Sequence, residues 1–120
     1  MILATAVRNA MLDAATALLG GGTLQLQTSA NAPVATLTLS NPAFAAASNG
    51  SATAYEITSD TNAAGGTVAH AYLRKADTTE LIKLTVTATG GGGEITMSSL
   101  VVGAGDTIGV QSFVLSKSAS

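Results

Sequence analysis

The apolar residues of this 120-residue chain change period once, at a glycine triplet, and that change constrains the fold more than any other feature. Before Gly20-Gly21-Gly22 they recur at helical spacing; after it they alternate. Over residues 4–19, Val7, Met11, Ala14, Ala15 and Leu18 stand at i, i+4, i+7, i+8 and i+11, while Arg8, Asn9, Asp13 and Thr16 lie mainly on other faces. The spacing predicts a helix. Thr5 is placed to cap its start, and the glycines end it because they accept positive φ at no steric cost. The stripe is narrow and rich in alanine, so it should pack closely on something flat, either a sheet face or a neighbouring subunit.

Beyond Gly22 the period is two. Leu24 and Leu26 alternate with Gln25 and Gln27, Leu37 and Leu39 with Thr36 and Thr38, and Ile82, Leu84 and Val86 with Lys83, Thr85 and Thr87. Runs at 53–58, 67–75, 95–102 and 107–115 continue the series, and branched Thr and Val suit a pleated surface. In the run at 67–75, Ala69, Ala71 and Leu73 are expected on one face, with His70, Tyr72 and Arg74 on the other. Turn signals separate the runs: Asn31-Ala32-Pro33, Asn41-Pro42, Asn49-Gly50, Gly65-Gly66, Ala76-Asp77, Gly90 to Gly93 and Gly103-Ala104-Gly105. Seven or eight short strands at this spacing predict an all-β fold, an antiparallel β-sandwich of jelly-roll-like or immunoglobulin-like type, with one short N-terminal α-helix. Residues 1–22 then form the helix and a glycine-rich linker, and residues 23–120 the sandwich domain.

Composition narrows the chemistry. Charged residues are 10% of the chain, against about 25% in ordinary soluble domains, and the net charge is −2. No basic surface is available to neutralise phosphates, so nucleic acid is not an expected partner. The chain has no cysteine, which removes thiol catalysis, disulfides and thiolate metal sites. One histidine cannot supply a mononuclear zinc site, and no pair of acids has the spacing of a calcium loop. His70 is expected as a half-exposed strand residue without a partner to make it a general base. Gly90–Gly93 lacks the Lys and the following helix of a phosphate-binding loop and is expected at a hairpin tip. Asp77 and Glu80 should flank a hairpin turn, close to Arg74 and Lys75 in a surface charge cluster. Of the four aromatic residues, Phe44 and Phe113 are expected in the core, which leaves only Tyr55 and Tyr72 as platforms for a sugar or a base. No catalytic residue, cofactor, metal, membrane contact or small-molecule substrate follows from these residues. The apolar N-terminus carries no preceding Lys or Arg and is interrupted by Arg8, Asn9 and Asp13, so it is read as mature chain and not as a signal peptide. An enzyme is not expected. A surface of Thr, Ser, Ala, Gly and Asn loses little side-chain entropy on contact, which suits a part packed in many copies.

Two segments carry a resemblance. The opening ATAVRNAMLDAATALLGGGTLQLQT resembles the start of small virion proteins of tailed bacteriophages, and LSNPAFAAASNGSATAYEI at 39–57 is similar to a second segment of that group. The resemblance implies a capsid-associated β-sandwich, in particular a head-decoration or cement protein on the virion surface, assembled in the bacterial host cytoplasm. Its implied partners are the major capsid protein and copies of itself. A tail or tail-tip component, or a host-surface adhesin, is the alternative. Val7, Arg8, Met11 and Leu18 are the expected interface residues.

Overall fold

The computed structural model describes residues 1–110 and 113–117. Helix α1 (Thr5–Ala17) starts at Ala4 without a side-chain cap. The Thr5 hydroxyl instead accepts a hydrogen bond from the Arg8 guanidinium at 2.9 Å. A turn closes the helix, with Leu19 N–H donating to the Thr16 carbonyl and Gly22 N–H to the Leu19 carbonyl. Gly21 takes φ +72° there, and a Cβ on Gly22 would collide with the Arg74 carbonyl. The triplet thus stops the helix and also lets the chain pass against the neighbouring strand.

Nine strands follow among the described residues. These are β1 (Thr23–Gln27), β2 (Pro33–Thr38), β3 (Ser51–Thr53), β4 (Gly66–Thr67), β5 (His70–Arg74), β6 (Glu80–Ala88), β7 (Ile95–Met97), β8 (Val101–Val102) and β9 (Val114–Ser116). A curled five-stranded sheet has the order β2-β1-β5-β6-β7, and two-stranded ladders form from β3 with β9 and from β4 with β8. The chain is therefore mostly β with one short helix. The expected purely antiparallel arrangement does not hold: β6 and β7 run parallel, with Val86 opposite Ile95 and Ala88 opposite Met97. Nor does a second sheet of comparable size form among the described residues; the two small ladders stand in its place.

That parallel pair corrects the reading of Gly90–Gly93. The segment is a six-residue return between parallel strands and not a hairpin tip, although such crossovers usually take a dozen residues or more. Gly90 and Gly92 lie at φ +90° and +82°, and a Cβ on Gly91 would stand 2.7 Å from Thr87 Cβ. Only glycine lets the loop turn back so tightly. The Glu94 carboxylate then accepts the Thr85 backbone N–H at 2.7 Å and the Thr85 hydroxyl, closing the edge of β6 ahead of β7.

The core lies on one face of the curled sheet. Leu24, Leu26, Leu37, Ala71, Leu73, Leu84 and Val86 are buried with Phe44, Val68, Val102 and Phe113 in one cluster. Phe44 and Phe113 meet edge to face at 6.0 Å, as expected for core aromatics. The run at 67–75 breaks between β4 and β5, which turns Val68 inward and leaves Ala69 exposed. Of the run at 107–115, Ile108 forms a single bridge to Asp60, and residues 111 and 112 lie outside the described residues.

Candidate functional site

Helix α1 packs on the domain with the face opposite its apolar stripe. Leu12 and Thr16 are its buried residues, and two polar side chains clamp it to residues 47–50. Asp13 Oδ1 accepts the Ala47 N–H at 2.8 Å, and Asn9 Oδ1 accepts the Gly50 N–H at 2.9 Å. Each satisfies a loop N–H that regular structure leaves unpaired. On the far side Val7, Met11 and Leu18 are 46%, 45% and 52% exposed. Met1 and Ile2 ahead of the helix are almost fully exposed. Of the four expected interface residues, three therefore share one open face. Arg8 does not join them: its guanidinium reaches Thr5 and lies beside Gly50, and its Nε is buried without a hydrogen-bond partner. Asn9 and Asp13, which the periodicity only sets apart from the stripe, turn out to hold the helix in place.

A second polar arrangement covers the outer face of the curled sheet. Gln27 Nε2 donates to Gln25 Oε1 at 2.8 Å and to Glu80 Oε2 at 2.9 Å, and Gln25 Nε2 donates to Thr36 Oγ1 at 3.1 Å. Those two donations fix the Gln27 amide, so its Oε1 faces His70 Nε2 at 3.0 Å as an acceptor. With that acceptor fixed, His70 Nε2 is the donor of the pair. His70 also meets Tyr72 edge to face at 5.6 Å. Gln25 and Gln27 are both buried, and each amide is hydrogen-bonded. Adjacent Gln and His faces are visible in the alternation, but the register that brings Gln27 opposite His70 is not.

The expected charge cluster disperses. Arg74 Nε donates to Thr23 Oγ1, Glu80 turns to Gln27, and only Lys75 adds an attraction to Asp77. Asp77 is held below the usual carboxylate range mainly by the Thr79 hydroxyl and N–H, with Lys75 contributing less.

Asp60 is a further residue that composition could not single out. Its carboxylate accepts the Thr36 N–H of β2 at 2.8 Å and the Asn62 N–H at 2.9 Å, while its backbone pairs with Ile108. The two N–H donors, Thr36 first, pull its carboxyl below the ordinary value, against a smaller opposing effect of burial.

Two adjoining hollows of about 400 and 390 Å³ share Thr96, Met97, Ile108 and Gly109 beside β7, and the first also reaches Leu26 and Phe113 of the core. Neither includes His70. Among the described residues no three His, Asp or Glu side chains come together as a metal set, and no helix is long and apolar enough to cross a membrane. Compared with known proteins, the chain matches no family model, no curated protein and no solved structure.

Proposed function

We propose that this chain is a structural subunit of a tailed-phage virion, a decoration protein that binds the outside of the head shell and stabilises it through many weak, repeated contacts. The observation that carries the reading is the outward apolar face of α1. A helix clamped to its own domain by Asn9 and Asp13, with Val7, Met11 and Leu18 turned to solvent, is built to be covered by another chain. The scarcity of charge supports the same reading, since weak self-repulsion permits dense packing of copies. The two small ladders over the curled sheet are read as the reduced second layer of a sandwich, a shape that suits such a part. The partners are the major capsid protein and further copies of the chain, the location is the virion head surface after assembly in the bacterial host cytoplasm, and no catalytic step, nucleic acid, membrane or small-molecule substrate is involved.

Imaging of particles tests the proposal. Hundreds of copies over the head are expected; a few to a few dozen at the tail would replace decoration with the tail-component or adhesin reading, and absence from particles would overturn the virion assignment. Deleting residues 1–19 should empty the shell, and unchanged occupancy would refute a contact through the helix.

A further inference from the structure

Of the five asparagines in the chain, only Asn49 precedes a glycine. An asparagine so placed carries its own chemistry: the next backbone nitrogen can attack the side-chain carbonyl carbon, and a glycine has no side chain to obstruct the approach. Ser48 and Ser51 exchange both backbone hydrogen bonds, at 2.8 and 3.0 Å, and close a two-residue turn around the pair. Asn49 and Gly50 stand at φ +53° and +77°, both positive as a type I′ turn requires. Asn49 is exposed at the tip, whereas Gly50 is buried.

Helix α1 holds the reacting nitrogen. The Gly50 N–H donates to Asn9 Oδ1 at 2.9 Å, and the Gly50 carbonyl accepts the Lys117 N–H at 2.9 Å. The Arg8 guanidinium lies over the same residue, so close that a Cβ on Gly50 would stand 2.5 Å from Nη1. Attack on Asn49 requires the nitrogen to give up its proton and swing onto the side chain. Neither step is open to it while the N–H is buried and engaged with Asn9. The helix itself is held by the burial of Leu12 and Thr16 and by the two clamps from Asn9 and Asp13. The turn becomes reactive when α1 lifts, and local opening of that kind proceeds without global unfolding.

We infer that Asn49 is a self-modification site gated by α1, with Asn9 as the latch. When the helix lifts, the Gly50 nitrogen bonds to Asn49 Cγ, the Cγ–Nδ2 bond breaks, and ammonia leaves with the proton from the Gly50 N–H. The cyclic imide then takes up one water at either carbonyl. Opening at one gives aspartate; opening at the other gives isoaspartate, in which the main chain runs through the former side chain. Isoaspartate adds a carbon to a two-residue turn whose Ser48–Ser51 pairing has no place for it. The Gly50 N–H then no longer meets Asn9 Oδ1, and α1 stays released. The hairpin thus records time spent with the helix off the domain: seated chains keep the Asn49 amide and unseated ones lose it.

The full chain is incubated at mildly alkaline pH beside a synthetic peptide of residues 46–53, and aspartate and isoaspartate at position 49 are separated by chromatography and identified by mass. The folded chain should react at least about tenfold more slowly than the peptide. Asn9→Ala should raise the rate by about three- to tenfold, the worth of one hydrogen bond in the closed state. Asn9→Asp keeps the acceptor and should stay near the wild-type rate. Asp13→Ala loosens the helix at the other clamp and should also react faster, so the gate is tested even where Asn9→Ala folds poorly. The purified isoaspartate form should lose hydrogen-exchange protection in α1 and at the Ala47 and Gly50 N–H groups, while β1 and β5 keep theirs. A folded chain that reacts as fast as the peptide would overturn the inference. So would Asn9→Ala and Asp13→Ala variants that both react at the wild-type rate, or an isoaspartate form whose helix stays protected.

Discussion

Replacing Asp60 with alanine removes the clasp at Thr36 on the outer edge of β2, between the backbone bonds of Thr38 with Thr58 and of Gly65 with Val34. The carboxylate accepts two backbone N–H groups, from Thr36 at 2.8 Å and Asn62 at 2.9 Å. Hydrogen bonds to a charged acceptor contribute about 1.5–3 kcal/mol each when buried. Asp60 is half-buried, so water replaces part of what is lost, and a total near 2 kcal/mol is the reasonable figure. For a domain of this size each kcal/mol moves the melting temperature by about 3–5 °C, so a fall of roughly 6–10 °C is expected at neutral pH. The effect carries a pH signature. The carboxyl titrates below its ordinary value in the folded protein, so its stabilisation is complete above the unfolded pKa near 4 and is lost as pH falls through the lower folded value. Melting curves of the wild type and Asp60→Ala, followed by circular dichroism from pH 7 to pH 2, should therefore converge at the acid end. A constant difference across that range, or no difference at pH 7, would refute the role assigned to the carboxylate.

Three further substitutions probe other parts of the molecule. Gly91→Ala places a Cβ against Thr87 in the parallel return and should destabilise by about 1–3 kcal/mol, measured by urea denaturation. Gln27→Leu leaves Gln25, Glu80 and His70 without their shared amide and should cost about 1–3 kcal/mol in the same assay, with the His70 ring proton exchanging faster in NMR spectra. Asp13→Ala frees the Ala47 N–H, which should lose hydrogen-exchange protection while the amides of β1 and β5 keep theirs.

Where the sequence reading succeeds, the relevant physics is local. The 3.6-residue spacing and the glycine stop place a helix at 4–19, and it is found at Thr5–Ala17. Alternation in 80–88 places Leu84 and Val86 inside and Lys83 and Thr85 outside, as β6 has them. Where it falls short, the deciding contact is distant along the chain. Gln25 and Gln27 look like solvent-facing residues of a two-sided strand until strand pairing sets them beside Thr36, His70 and Glu80. A glycine run between two apolar stretches reads as a hairpin, since pattern alone does not say whether the next strand returns alongside the last in the same or the opposite sense. The stripe of α1 is legible as apolar, yet whether it meets the chain's own sheet depends on Asn9 and Asp13 finding two N–H groups some forty residues on.

The carboxylates of Asp60 and Glu94 have a consequence for solubility. Each lies at a strand edge of the sheet and occupies an N–H that another molecule's strand would need, one on β2 and one on β6 beyond the short β7. Edge-to-edge growth of sheets from many chains needs a row of free N–H and C=O groups and tolerates no fixed negative charge in that plane. A protein with so few charges has little general repulsion to keep its copies apart. Two of its seven acids thus stand at N–H groups that strand pairing between chains would use, which works against clumping through the sheet edges.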